Sequence, residues 1–285
     1  MGRYSQVLVG YDGTKESERA LRWAVEEARR RRLPLTVCHA WRWPYPISYI
    51  DYEGAAIIKR MGENLLRHGT ALAQNLAPGV PVRHRLMDGP TASALLHHAD
   101  DGLIVIGSHE QSELPVGSSA LQIPARARCP VMVVRDPAQA TEGRVVAGVD
   151  GSAGGEAALE FAFEEAALRG WRLDAVHGCW EPASVADSEI ALFADKVTLE
   201  HVCGARLQRA VAPWLVKCPQ VSVRTFMPME EPRRALLDAA EGADLIVVGD
   251  RGEGGLHPQL LGATTLAMLQ LSPCTVAVVH PLHRT

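Results

Sequence analysis

Lysine is almost missing from this chain: Lys15, Lys59, Lys196 and Lys217 are the only ones in 285 residues. None follows a glycine-rich turn as Gly-Lys-[Ser/Thr], which excludes a P-loop. There is no Gly-x-Gly-x-x-Gly after the first apolar run, so the dinucleotide fingerprint is absent too. No apolar stretch approaches the ~20 residues of a membrane span. The formal net charge of −4 argues against nucleic acid or an anionic membrane as the main partner. Spacing supports no paired catalytic carboxylates, no nucleophile elbow and no Ser-His-Asp order, so no catalytic residue is assigned. The six cysteines form no Cys-x-x-Cys, and Cys129 and Cys274 read as packing beside strands; neither disulfide nor metal is expected. Met1-Gly2-Arg3-Tyr4 leads straight into an apolar run, so no signal peptide is expected and the location implied is cytoplasmic. Gly2 also lacks the Ser or Thr that a myristoylation site needs.

What is present is a repeat. Gln6-Val7-Leu8-Val9-Gly10-Tyr11-Asp12-Gly13-Thr14 returns as Arg144-Val145-Val146-Ala147-Gly148-Val149-Asp150-Gly151-Ser152. The offset is 138 residues at Asp12/Asp150 and His39/His177, 142 at Gly107/Gly249, and 145 at Cys129/Cys274. So long a period means a duplicated domain, since solenoid repeats run at roughly 20–50 residues. Two domains are expected, 1–139 and 142–285, each long enough for its own core. With 47% apolar residues the chain is globular.

Each half alternates strand and helix. In the first, strands are expected near 7–9, 33–38, 80–86, 103–106 and 131–134, with helices near 15–31, 53–76, 90–99 and up to 128. In the second, strands fall near 144–149, 172–178, 220–226, 244–248 and 275–279, and helices near 155–169, 188–214, 231–241 and 263–272. Continuous apolar strands between amphipathic helices predict parallel sheets covered on both faces. Ligands of such sheets sit at the strand carboxyl ends, beside a switch in strand order. Asp12, Asp150 and both glycine loops fall on that edge.

The second loop, Gly249 to Thr265, follows a strand and opens a helix. Glycines let main chain approach a phosphate, and a helix start offers N–H groups and a positive dipole end to an anion. Arg251 is the loop's fixed cation. Asp150 and Asp12 would accept hydrogen bonds from a nucleoside; equally, Asp-Gly-Ser and Asp-Gly-Thr would cap the following helix. In the first loop, Gly107 to Ser119, three residues are absent, Glu110 stands at the second glycine, and Glu113 adds charge that repels phosphate. His39 and His177 read as structural histidines at strand ends. The segment Trp41–Pro46 reads either as a shield over a ligand or as a loop packed on its own domain.

The Gly-x-Asp-Gly-[Ser/Thr] starts, His39-Ala40-Trp41 and His177-Gly178, Gly249-x-x-Gly252 with Gly262 nine residues on, and the closing Cys129–Val134 and Pro273–Val279 together resemble a tandem universal stress protein. The resemblance covers nearly the whole chain. It implies two α/β domains, each a five-stranded parallel sheet with helices on both faces. The ATP-binding branch of that family uses Gly-2x-Gly-9x-Gly-[Ser/Thr]. Carried over, Asp150 would contact the adenosine end and the main chain at Gly178 the adenine. Gly249, Gly252, Gly262 and the helix start at Ala263, Thr264 and Thr265 would surround ribose and phosphates. The first-half counterparts are Asp12, Ala40, Gly107, Gly117 and Ser118. Ala263 departs from the pattern where a hydroxyl is usual, removing a bond worth roughly 0.5–1.5 kcal/mol, which Thr264 or Thr265 would have to replace. The second half is therefore expected to be the better nucleotide site.

The implied cofactor is ATP, with Mg2+ as its possible companion, in a stress or regulatory protein that signals by nucleotide-dependent conformation or partner binding. A nucleotide-free interaction protein with decayed sites is the alternative, and a slow ATPase the third. In the family the last strands of two domains pair, so Val131–Val134 and Val276–Val279 are expected to pair within the chain; a homodimer is the other assembly such edges allow.

Overall fold

The computed structural model describes residues 4–43, 51–99, 101–108, 118–137, 139–179, 196–252 and 260–281. The chain divides into two compact units, Met1–Arg135 and Asp136–Thr285.

In the first unit the order is β1 (Gln6–Gly10), α1 (Lys15–Arg31), β2 (Leu35–Trp41), α2 (Tyr52–Leu76), β3 (Val82–Asp88), α3 (Thr91–His97), β4 (Gly102–Gly107), α4 (Ser118–Arg126) and β5 (Val131–Val134). The sheet runs β3-β2-β1-β4-β5 and every pairing is parallel. Val9 is flanked by Val37 on one side and Val105 on the other. Chain order therefore reverses direction between β1 and β4, and their carboxyl ends diverge there. Asp12 follows β1 and Gly107 ends β4, so both fall at the switch point.

The second unit repeats the plan: β6 (Arg144–Gly148), α5 (Ala153–Arg169), β7 (Arg172–Val176), α6 (Lys196–Lys217), β8 (Val223–Phe226), α7 (Pro232–Ala240), β9 (Leu245–Gly249), α8 (Ala263–Leu271) and β10 (Thr275–Val279). Its sheet runs β8-β7-β6-β9-β10, again all parallel. Asp150 and Gly249 take the places of Asp12 and Gly107. No described helix is long and apolar enough to cross a membrane.

The sequence explains the layers. Val7, Leu8 and Val9, like Val145, Val146 and Ala147, are fully buried because helices cover both sheet faces. The edge strands β3 (VRHRLMD) and β8 (VRTF) are mostly exposed and carry arginines, which discourage pairing with another chain. The helix α1 starts at Thr14, whose hydroxyl accepts the Ser17 N–H at 3.2 Å. Ser152 does the same for α5 with Gly155 at 3.0 Å. Acid in the first turn of α1 and arginine in its last turn suit the helix dipole.

A buried ion pair recurs in both copies. Arg31 donates to Glu27 at 2.5 Å in α1, and Arg169 to Glu165 at 2.8 Å in α5. Each guanidinium also lies over an aromatic ring, Tyr4 and Trp171 respectively. Both pairs anchor the helix end remote from the switch point.

Candidate functional site

In the second unit a cavity of about 530 Å3 opens at the carboxyl ends of β6 and β9. It is lined by Asp150, Gly178, Gly249, Gly252, Gly262, Ala263, Thr264 and Thr265, so one crevice collects every second-half residue singled out from the sequence.

The two oxygens of Asp150 have different surroundings. Oδ1 accepts the Ser152 N–H at 2.9 Å and the Ser152 hydroxyl at 2.6 Å. Ser152, so oriented, is the actual cap of α5. Oδ2 faces Gly252, where an added Cβ would run into it. One oxygen thus fixes the turn while the other points across the crevice at the glycine loop.

The glycines serve packing more than the sequence suggests. A Cβ on Gly249 would lie 2.5 Å from the Gly154 carbonyl carbon, so its missing side chain lets α5 sit directly on the end of β9. Gly154 is needed in turn, because its own Cβ would meet the Arg251 carbonyl oxygen, and a Cβ on Gly155 would meet Asp150 Oδ1. A Cβ on Gly178 would lie 2.6 Å from Pro232 Cα, at the start of α7. At Gly249 the missing side chain makes room for helix–strand contact, and the residue also lines the cavity. Gly252 and Gly155 both give their space to the Asp150 carboxylate, one at each oxygen.

The loop ends are clipped together. The Gly262 N–H donates to the Asp250 carbonyl at 2.9 Å, and the Asp250 N–H to Val279 at 2.9 Å. The Gly262 amide is thus already bonded to the protein. Gly262 also caps α8 without a side chain of its own, ahead of the first turn, Ala263 to Thr265, which lines the cavity. The buried Thr265 hydroxyl donates to the Gly249 carbonyl at 2.6 Å. That ties α8 to β9, while Thr264 lines the cavity. Arg251 donates to Asp250 at 3.0 Å, which offsets much of its charge. Residues 253–259 of the loop lie outside the described residues.

The first unit holds a smaller cavity at the same place, about 280 Å3, lined by Asp12, Ala40, Gly107 and Ser118. Gly117, Glu110 and Glu113 lie outside the described residues, as do residues 44–46 of the Trp41–Pro46 segment. Asp12 Oδ1 accepts the Thr14 N–H at 3.1 Å and its hydroxyl at 2.6 Å, repeating the Asp150 arrangement. Where the second unit has Gly154 and Gly155, the first has Glu16 and Ser17, and both line the cavity. A Cβ on Gly107 would lie 2.8 Å from the Glu16 carbonyl oxygen, so the close approach of helix and strand is kept. None of the described residues lining this cavity is arginine or lysine. Burial pushes the neighbouring Tyr11 hydroxyl above its ordinary pKa, with the Glu18 and Asp12 carboxylates adding to it. Glu16, Gly154 and Gly155 were not picked out from the sequence, although aligning the two copies at the 138-residue offset sets Glu16 against Gly154.

The structural histidines keep one arrangement in both units. His39 Nδ1 donates to the Tyr11 carbonyl at 2.9 Å, and His177 Nδ1 to the Val149 carbonyl at 2.6 Å. Each clamps the end of the second strand to the residue that precedes the site aspartate.

Fold and crevices define a tandem pair of α/β domains, each with a cavity at its switch point, the larger one in the second. The model of the universal stress protein family matches the sequence twice, over residues 3–135 and 143–280. Among similar proteins, Universal stress protein Rv2005c of Mycobacterium tuberculosis (strain ATCC 25618 / H37Rv) is 30% identical over 293 residues, covering 96% of each chain. Universal stress protein Rv2623 of the same strain is 30% identical over 296 residues, covering 95% of each. The crystal structure of a universal stress protein from Archaeoglobus fulgidus DSM 4304 shares the fold at a TM-score of 0.72 and 17% identity, over 98% of both chains. This chain belongs to the universal stress protein family, with two tandem domains.

Proposed function

We propose that the second domain binds an adenine nucleotide, ATP as its triphosphate form, and that occupancy is read out as a change of conformation or partner affinity. The observation that carries this is the convergence of three features on one cavity: Asp150 Oδ2, the turn at Gly252 and the uncapped start of α8. An adenosine seated here would meet Asp150 at the ribose and the Gly178 main chain at the base. Its phosphates would lie toward Gly252, Thr264 and the α8 amides, whose dipole favours anions. A cavity of about 530 Å3 lies within the roughly 300–1,000 Å3 of small-molecule sites, whereas the 280 Å3 of the first domain lies at or below the lower bound. The first cavity has Glu16 and Asp12 on its wall and no arginine or lysine among its described lining residues, although Arg19 pairs with Glu16 at 3.4 Å. We therefore assign one nucleotide per chain, with Mg2+ as companion to the phosphates, in a cytoplasmic protein.

The test is mass spectrometry of ligand released from natively purified protein, with thermal shifts on adding ATP, ADP and AMP. One adenine nucleotide per chain, or a stabilisation approaching about 2.7 kcal/mol at a hundred times Kd, is expected. Absence of both retained ligand and any shift would leave the nucleotide-free interaction protein as the better reading.

A further inference from the structure

We propose that His177, Cys179 and Cys203 form a binding site for a zinc ion in the second domain. One ring nitrogen and two sulfurs, all within 4.8 Å of one another, come together from the segment after β7 and from α6. Around tetrahedral zinc, with Zn–S near 2.3 Å and Zn–N near 2.0 Å, such atoms stand about 3.5–3.8 Å apart. Closing the set thus needs shifts of about 1 Å, within reach of rotation about the cysteine side-chain bonds.

The backbone holds the set in place. The His177 N–H donates to Phe226 at 2.9 Å and the Cys179 N–H to Pro228 at 3.3 Å, extending the β7–β8 pairing past the strand ends. The His177 ring is buried, and its Nδ1 lies on the Val149 carbonyl, so the proton is on Nδ1 and the Nε2 lone pair is available. A metal-bound histidine needs just such a backbone partner on its other nitrogen. His39 makes the equivalent bond in the first domain, but Trp41 stands two residues on, where Cys179 stands in the second. The His39 ring packs instead against Gly62, whose Cβ would lie 2.9 Å from it. The two sulfurs are thus a feature of the second copy alone.

Two neutral thiols beside a buried imidazole give the fold little that apolar side chains would not. Zinc is bound by thiolate. Two thiolates and one neutral imidazole would compensate the charge of Zn2+. The fourth position is open to water or to Glu200, which lies one turn before Cys203 on α6. The Cys–x–x–Cys test applied to the sequence fails here because the third ligand is 24 residues beyond Cys179, on a different element.

The experiment is cobalt substitution of the full chain purified under reducing conditions. One Co2+ per chain is expected, with the thiolate-to-cobalt charge-transfer band and the strong visible bands of a tetrahedral site, all displaced by one equivalent of Zn2+. Cys179→Ser and Cys203→Ser should each abolish the band while circular dichroism stays native; Cys218→Ser should keep it. Gly252→Ala should also keep it, so this result separates from the fate of the nucleotide reading. A chain without the band, or a band indifferent to both cysteine substitutions, overturns the proposal. So does a Cys179–Cys203 disulfide in protein that takes up no zinc after reduction.

Discussion

The carboxylate of Asp150 lies against the α-carbon of Gly252, where any side chain on residue 252 would displace it. Gly252→Ala should therefore turn Asp150 Oδ2 out of the crevice while leaving the Ser152 cap in place. ATP affinity is expected to fall about tenfold, roughly 1.4 kcal/mol, with the far-ultraviolet spectrum unchanged. Isothermal titration reads this directly, and unchanged affinity would count against the place given to Asp150.

Gly154→Ala sets two effects against each other. Alanine in place of glycine inside a helix is favourable by about 1 kcal/mol. Here the new Cβ would meet the Arg251 carbonyl oxygen, and overpacking against backbone costs about 1–3 kcal/mol. Net destabilisation is expected, seen as a lower urea midpoint. Gly79→Ala, where nothing lies within 4 Å, is the control and should not be destabilised.

Comparison of these two glycines shows what the sequence could convey. The repeat, the continuous apolar strands and the turn residues made both sheets and their helices legible. The edge strand β3 lies at Val82–Asp88, two residues later than the strand expected near 80–86, because an exposed edge carries polar residues and has no continuous apolar run to mark its ends. The helix expected over 188–214 continues to Lys217 through Pro213, and residues 188–195 lie outside the described residues. In the site, Asp150 and the loop glycines were legible as a motif. That Gly249 serves contact with α5 was not, because the partner, Gly154, lies 95 residues away in sequence. Glu16 was hidden for the same reason: read along α1 it is an ordinary first-turn acid, and only the folded sheet sets it on a cavity wall.

Glu16→Gln removes one negative charge from the first cavity. At an effective dielectric near 20, a charge within ~6 Å of a phosphate acts on the order of 1 kcal/mol or more. Weak binding of phosphate or AMP to the first domain should strengthen severalfold, read as a second binding event in titrations of the Gly252→Ala background. A variant indistinguishable from its parent would show that Glu16 does not set the local field.

Tyr11 has a buried hydroxyl with no hydrogen-bond partner among the described residues. Burial and the nearby carboxylates raise its pKa, so the folded state favours the neutral phenol. That contribution is complete below the unfolded value of about 10 and is lost as pH rises through the higher folded value. Tyr11→Phe should be as stable as the parent at pH 7 or more so, and should lose less stability between about pH 9 and 11. Urea titrations across that range provide the check.

Arg32 closes α1 in a left-handed conformation, φ 56°, where its counterpart Gly170 closes α5 at φ 68°. A side chain in that region costs roughly 1–2 kcal/mol, part of which glycine returns through its greater freedom when unfolded. Arg32→Gly should raise the stability of the first domain by about 1 kcal/mol, or a few degrees in Tm. A lowered midpoint would mean that the Arg32 side chain holds contacts worth more than the strain.

The ion pairs Glu27–Arg31 and Glu165–Arg169 give both copies the same foundations, while their mouths differ. The molecule thus carries its own internal control. Heat, acid or osmolytes acting through the shared scaffold should weaken both halves alike. A small solute recognised at one mouth should protect one half only, so asymmetric protection of the two copies, followed by hydrogen exchange, would report that solute without any catalytic assay.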